Sequence, residues 1–227
     1  MKYELKHRLP EVEKDGECLC GGNQAWLPWA YMRKGGCGTI AGTDLLLYMN
    51  LFRKGCRTEA FGDIPVSPEH IGFEEYCGII DRMRKTYFPI VPFLGMSGWH
   101  LALGLNLYFL RHHMPYRAHW AVRPKLLWQC VEGMLRADMP VPLAIGQNIP
   151  FFFLKRRISF YGKKSDGSLY EARRVKAHFV TITGMDDEWI RVTSWGKEFW
   201  IFKEDYETYV KKYSSPLVSN IVTIGRR

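Results

Sequence analysis

The chain has 227 residues, of which 47% are hydrophobic and 15% aromatic, so it can bury a substantial core and is not intrinsically disordered. Its 32 Lys and Arg residues outnumber its 23 Asp and Glu residues and give a formal net charge of +9. The basic residues are scattered, without a long basic tract interleaved with stacking aromatics, which argues against a nucleic-acid partner.

The sequence contains no recognisable membrane or export segment. Residues 1–17 lack the apolar core of a signal peptide, and no later stretch offers about 18 consecutive apolar residues. We therefore expect a cytoplasmic protein without a membrane partner. No feature of the sequence predicts an oligomeric state.

Six cysteines occur at positions 18, 20, 37, 56, 77 and 130. In a chain of this size without an export signal, reduced thiols are expected rather than a disulfide framework. Cys18 and Cys20 are close enough to suggest a metal site, but no second pair at ligand spacing accompanies them. We therefore expect neither a metal nor an organic cofactor.

The pattern of apolar residues changes near residue 138. Before it, helical spacing predicts helices over residues 36–51, 67–85, 97–113 and 123–138. After it, short β-branched and aromatic runs predict antiparallel strands, a hairpin turning at residues 185–188 and one helix over 203–212. The sequence thus predicts an α+β fold, with a helical lobe over about residues 23–138 packed on a sheet lobe over about 139–227.

The first candidate functional residue is Cys37, in the stretch GGCGTIAGTDLLLYM that covers residues 35–49. It lies where a helix is predicted to begin, and the free N–H groups and macrodipole there favour a thiolate, which predicts a lowered pKa. The adjacent glycines allow a substrate carbonyl to approach closely. An ordinary core cysteine at a glycine-rich helix start is the alternative interpretation.

The second candidate is His178, which opens the strand-like stretch HFVTITG over residues 178–184. A strand end in the second lobe could present this imidazole to the helix end that carries Cys37. The two would then form a thiolate–imidazolium pair across a cleft. Nucleophile and base are usually remote in sequence, as they are here.

These motifs together carry a family resemblance. In order, GCG, RADMPVPLAIGQN, HFVTITG and SWGKEFW resemble the motifs of papain-like cysteine peptidases, and most closely those of the bacteriocin-processing, double-glycine-peptidase-like branch. The resemblance spans residues 23–200. It implies a single papain-like domain over residues 1–227 with Cys37 as nucleophile, His178 as general base, a peptide or amide substrate and no cofactor.

The resemblance also implies a glutamine upstream of the cysteine that donates an N–H group to the oxyanion. The candidate is Gln24, which precedes Cys37 by thirteen positions where about half a dozen are usual in the family. An insertion over residues 26–35 would explain the difference. Alternatively, Asn23 and Gln24 only form a turn after two glycines, and Asn23 is the other oxyanion candidate.

The residue that orients the histidine is the third position that the resemblance implies. Where the family has Asn or Asp, this chain has Thr193, followed by Ser194. Only one of the two can face His178, since successive side chains on a strand point to opposite faces. Asp186 and Asp187, in the predicted hairpin turn, are further alternatives.

The sequence therefore predicts a cysteine-dependent hydrolase, a peptidase or amidase, that uses Cys37, His178, Thr193 and Gln24. Two other functions stay open. A non-catalytic protein could hold a peptide in the same cleft, or an amine could replace water in a transglutaminase-like acyl transfer. The substrate itself is not predicted.

Overall fold

A computed structural model describes residues 1–62, 70–150 and 153–227. The helices in these ranges are α1 (Ala30–Gly35), α2 (Cys37–Phe52), α3 (Phe73–Thr86), α4 (Gly98–Arg111), α5 (Leu127–Arg136) and α6 (Lys203–Tyr213). The strands are β1 (Tyr3–Glu4), β2 (Glu11–Lys14), β3 (Glu17–Cys20), β4 (His70–Gly72), β5 (Tyr116–Trp120), β6 (Val141–Ile145), β7 (Ile158–Lys163), β8 (Leu169–Val175), β9 (His178–Met185), β10 (Trp189–Ser194), β11 (Lys197–Phe202) and β12 (Val222–Arg226).

Helices α2, α4, α5 and α6 confirm four of the predicted helices, with ends that differ by a few residues. The boundaries follow local chemistry. Ser97 precedes α4 and its side chain accepts a hydrogen bond from the His100 N–H group, which satisfies one of the free donors at the helix start.

The predicted helix over residues 67–85 begins later than expected. Residues 67–69 lie outside the described ranges, residues 70–72 form β4, and α3 begins at Phe73. Strand β4 pairs in parallel with β2, so a remote strand satisfies the backbone groups of these residues. Tertiary pairing thus overrides the local helical pattern here.

Among the described strands, β9 belongs to a seven-stranded antiparallel sheet and lies second from one edge, between β10 on one side and β1 and β6 on the other. The order is β1–β9–β10–β11–β7–β8, and β6 pairs with β9 beside β1. All eight residues of β9 are buried, and α2 packs against it. The β9–β10 hairpin turns between Met185 and Trp189, which confirms the predicted hairpin.

The fold is mixed α+β, but strands are not confined to its second half. Strand β1 adds to the main sheet, β5 pairs with β12, and β2, β3 and β4 form a separate sheet. The change of pattern near residue 138 therefore marks where helices stop dominating rather than where strands begin. The free N–H and C=O groups of a sheet edge can pair with a segment that is remote in sequence. Such pairing leaves no local pattern from which the added strand could be predicted.

Helix α2 runs through the interior, and every residue from Gly38 to Asn50 is buried. Its small residues allow close packing, since a Cβ atom at Gly42 would lie 2.8 Å from Leu101 Cδ1. Its first residue, Cys37, is only partly buried and lines a cleft.

Two further predictions concern membranes and thiols. In the described part of the chain, no helix combines the length and apolar character needed to cross a bilayer. All six cysteines lie in the described ranges and carry free thiols.

Candidate active site

The thiol of Cys37 and the imidazole of His178 line the same cleft. Cys37 is the first residue of α2, and the backbone N–H groups of Phe179, Gly38 and Cys37 itself act on its thiol in the direction that lowers its pKa. Because Phe179 directly follows His178, the sulfur lies beside the strand end that carries the imidazole. The two residues that the sequence analysis singled out therefore line one cleft.

Burial disfavours the charged form of both groups. Desolvation raises the pKa of the Cys37 thiol, although the three backbone N–H groups act in the opposite direction. The prediction of a lowered thiol pKa was therefore wrong, because desolvation of the thiol outweighs the effect of the helix start. Burial, together with the charge of Arg173, lowers the pKa of His178 to about 3.

Ser194 is the residue that contacts the imidazole, since its Oγ lies 2.6 Å from His178 Nε2. The strand register explains this contact. Thr193 is paired with Thr181, so Ser194 comes opposite Val180, which shares a face of β9 with His178 because the two are two residues apart. The contact of Nε2 with Ser194 leaves Nδ1 as the ring nitrogen available for the thiol.

The other candidates for orienting the histidine have different contacts. Thr193 is buried, and its Oγ1 donates to the Thr181 carbonyl at 3.5 Å. The carboxylate of Asp186 accepts from the backbone N–H groups of Glu188 and Trp189 in the hairpin turn, and Asp187 forms an exposed ion pair with Lys2. Ser194, the sequence's alternative, therefore takes the place expected for Thr193.

The indole ring of Trp195 packs against the imidazole ring of His178. Its ring stacks on His178 with centroids 4.1 Å apart and planes inclined by 5°. The guanidinium carbon of Arg173 lies 4.3 Å from the same indole ring. This stack excludes water from His178 and brings a positive charge near it, and both effects favour the neutral imidazole.

The stacked tryptophan is held by the turn between β10 and β11. Trp195 and Gly196 both have positive φ, 52° and 73°, as a two-residue type I′ hairpin turn requires. The sequence analysis did not identify Trp195 or Arg173 as residues of the site. The Trp-Gly pair between two strand-like runs was the available signal for the turn, but it does not indicate what the indole covers.

Gln24 lies in a small cavity that it shares with Cys37 and His178. Its Nε2 donates to the Arg33 carbonyl at 2.6 Å, which leaves a second N–H on the same nitrogen. Its Oε1 is buried and has no hydrogen-bond partner among the described residues. The intervening residues fold into a 3₁₀ turn and α1, so the long spacing is compatible with a position beside the thiol.

A network of hydrogen bonds fastens the segment before Gln24 to the Trp195–Gly196 turn. The Gly196 N–H donates to the Gly22 carbonyl at 3.1 Å, and Asn23 Nδ2 donates to the Trp195 carbonyl at 3.3 Å. Asn23 is therefore engaged with the turn. The same hydrogen bonds therefore fix both the segment that precedes Gln24 and the position of Trp195, which follows Ser194.

The side chain of Asp44, in α2, anchors the segment that precedes Gln24. Its Oδ2 accepts from the Gly22 N–H at 3.1 Å and its Oδ1 accepts from the Tyr76 hydroxyl. Burial raises the pKa of Asp44 to about 6, although both hydrogen bonds oppose the shift. The carboxyl is a structural anchor, and its titration lies close to neutral pH.

The chain matches no protein family, no curated protein and no solved structure. The functional argument therefore rests on the geometry of the cleft and on the chemistry of the residues that line it.

Proposed function

We propose that the chain is a cysteine-dependent hydrolase of papain-like type that cleaves an amide bond of a peptide. The observation that carries the proposal is that Cys37, the first residue of α2, and His178, the first residue of β9, line the same cleft. A thiol and an imidazole are the nucleophile and base of cysteine hydrolases, and in this proposal the Ser194 hydroxyl, on the far ring nitrogen of His178, acts as the orienting group.

The reaction begins from neutral groups. Nε2 of His178 lies 2.6 Å from Ser194 Oγ, and in the tautomer that donates its proton to this oxygen, Nδ1 takes the thiol proton as the sulfur of Cys37 attacks the carbonyl carbon. The imidazolium then gives this proton to the leaving amine as the C–N bond breaks, which leaves a thioester on Cys37. His178 next removes a proton from water, which attacks the thioester and releases the acid and the free thiol.

The oxyanion formed in both steps has two candidate donors. One is the backbone N–H of Cys37 at the positive end of α2, and the other is the second N–H of Gln24 Nε2. The bond from Gln24 to the Arg33 carbonyl holds the amide in one orientation, so donation requires little reorganisation during the reaction.

The walls of the cleft favour a substrate with large apolar side chains. The cleft has a volume of about 900 Å³, and the side chains exposed along it include Trp29, Phe93, Leu94 and Leu217. Among its described lining residues, Lys34 is the one with a fixed charge. An extended peptide with apolar residues near the scissile bond would bury this surface.

Cleavage of an unbiased peptide library, read by mass spectrometry, tests the proposal. We expect products from the native chain and a loss of at least about 10³-fold in Cys37→Ala and in His178→Ala. Cys130→Ala, a partly buried thiol outside the described cleft lining, controls for loss of a cysteine. Cleavage that persists in Cys37→Ala, or stoichiometric peptide binding without cleavage, would contradict the proposal.

A further inference from the structure

The three-stranded sheet carries a thiol, an imidazole and a carboxylate on one face. Glu13 is paired with Cys18, and Glu11 with His70. Since Glu11 and Glu13 are two residues apart on β2, their side chains share a face, and those of Cys18 and His70 lie on the same face. Among the residues on this face, Glu11 of β2, Cys18 of β3 and His70 of β4 have their potential ligand atoms grouped together.

We propose that Glu11, Cys18 and His70 form a Zn²⁺ site. His70 Nδ1 lies 3.5 Å from Cys18 Sγ and 3.4 Å from Glu11 Oε2, and all three ligand atoms lie within 4.8 Å of one another. Around a tetrahedral zinc ion, ordinary bond lengths separate sulfur from nitrogen by about 3.6 Å and nitrogen from oxygen by about 3.4 Å. The two separations that involve His70 therefore match those around one zinc ion, and the third pair, Cys18 and Glu11, lies within 4.8 Å.

The donor set selects the metal. Thiolate and imidazole ligands suit Zn²⁺, whereas Mg²⁺ and Ca²⁺ prefer oxygen ligands throughout. Arg8 pairs with Oε1 of Glu11 at 3.7 Å, which leaves Oε2 for the ion. Cys18 and His70 are exposed, so a water molecule can complete the tetrahedron.

The site is separate from the proposed hydrolase, because its residues do not line the cleft among the described positions. Its effect would be structural. An ion there joins β4, which leads directly into α3, to the β2–β3 hairpin, which leads into the segment carrying Gln24. Zinc that binds only the folded arrangement stabilises it by mass action.

The test uses the full chain with Cys37→Ser, so that the Cys37 thiol cannot bind the added metal. After chelation, we expect this reduced protein to bind one equivalent of Zn²⁺ and to melt at a higher temperature with zinc than without. Co²⁺ should give a thiolate-to-cobalt charge-transfer band. Cys18→Ser should abolish the band, and His70→Gln and Glu11→Gln should each weaken Zn²⁺ binding at least about tenfold.

Cys130→Ser, which removes another partly buried thiol, should bind Zn²⁺ as the parent does. One equivalent bound equally well by Cys18→Ser, equal losses in Cys130→Ser, or no stoichiometric binding by the parent would each overturn the site. Melting of every metal-free variant checks its folding. Should Cys18→Ser fail to fold, the affinities of His70→Gln and Glu11→Gln decide the outcome.

Discussion

The Oγ atom of Ser194 lies 2.6 Å from Nε2 of His178, whereas the hydroxyl of the preceding residue, Thr193, is directed at the Thr181 carbonyl. The two neighbouring hydroxyls lie on opposite faces of β10, so their removal has separable consequences. One is a positioning contact for the proposed base, and the other is a contact within the sheet.

Replacing Ser194 by Ala should lower kcat by about tenfold, which corresponds to about 1.4 kcal/mol of lost transition-state stabilisation. Thr193→Val should leave kcat nearly unchanged and cost about 1 kcal/mol of stability through its lost hydrogen bond. Ser194→Thr should restore activity, and NMR of His178 should show a changed tautomer population in Ser194→Ala. The reverse ranking of Ser194→Ala and Thr193→Val in kcat would refute the assigned contact.

Removing the oxyanion donor at Gln24 should reduce kcat with little change in KM, because the oxyanion exists only in the transition state and intermediates. For Gln24→Ala the expected loss is about 10²- to 10³-fold. Gln24→Glu keeps the size of the side chain but removes both N–H groups, so it should be equally impaired. Steady-state kinetics on variants with matched melting temperatures measure this, and an active Gln24→Glu variant would show that neither N–H group of Gln24 is needed for catalysis.

The proposed reaction starts from a neutral Cys37 thiol and a neutral His178 imidazole, which predicts how kcat/KM depends on pH. Since the pKa of His178 is lowered to about 3, the imidazole stays available as a base through the range where an ordinary histidine becomes protonated. We expect kcat/KM to show no acid limb near pH 6.5. Because the thiol proton moves during attack, kcat/KM should fall in deuterated water. A limb near pH 6.5, in protein shown to be folded, would refute the neutral pair.

Arg173 offers a direct test of the electrostatics around the base. Its guanidinium carbon lies 4.3 Å from the Trp195 ring, and its charge helps to lower the pKa of His178. Arg173→Gln should therefore raise that pKa, measured from the pH dependence of the His178 ring resonances. The matched control is Arg174→Gln, because Arg174 pairs with Glu171 at the protein surface. Equal shifts in both variants would rule out a specific effect of Arg173.

The raised pKa of Asp44, about 6, predicts how stability changes with pH. The folded state holds this proton more tightly than the unfolded state, so the contribution is favourable below about pH 4 and is lost as pH rises through 6. Neutral Asn cannot titrate. The stability of Asp44→Asn relative to the native chain should therefore rise by about 3 kcal/mol between pH 4 and 8.

Denaturant unfolding at several pH values measures the free energy of unfolding of Asp44→Asn relative to the native chain. Any loss of hydrogen bonds to Gly22 and Tyr76 that does not depend on pH cancels when values at two pH values are compared. His178 acts in the opposite direction in both proteins, because its lowered pKa makes protonation favour the unfolded state below about pH 6.5. Asp187→Asn, at a carboxylate that is 83% exposed, is the control. A constant difference between Asp44→Asn and the native chain would contradict the buried, raised carboxyl.

Local pattern was sufficient for the elements that carry the proposed chemistry. Glycines before an apolar run placed Cys37 at the start of α2, and β-branched alternation placed His178 at the start of β9. These features depend on hydrophobic periodicity and on residues that begin or end a helix or strand. Both signals lie within a few positions of one another, so a single sequence is enough to detect them. The same local reasoning limited the choice for the orienting hydroxyl to two adjacent residues but could not select between them.

What only the tertiary structure decided are relations between distant segments. The register of β10 on β9 chose Ser194 over Thr193, since a shift of one residue exchanges the faces of a strand. Burial raised the pKa of Cys37, against the local effect of the helix start, because desolvation depends on everything packed around a group. His70 meets Cys18 only because β4 joins β2 in parallel, and parallel pairing of remote strands leaves no spacing in the sequence from which to predict it.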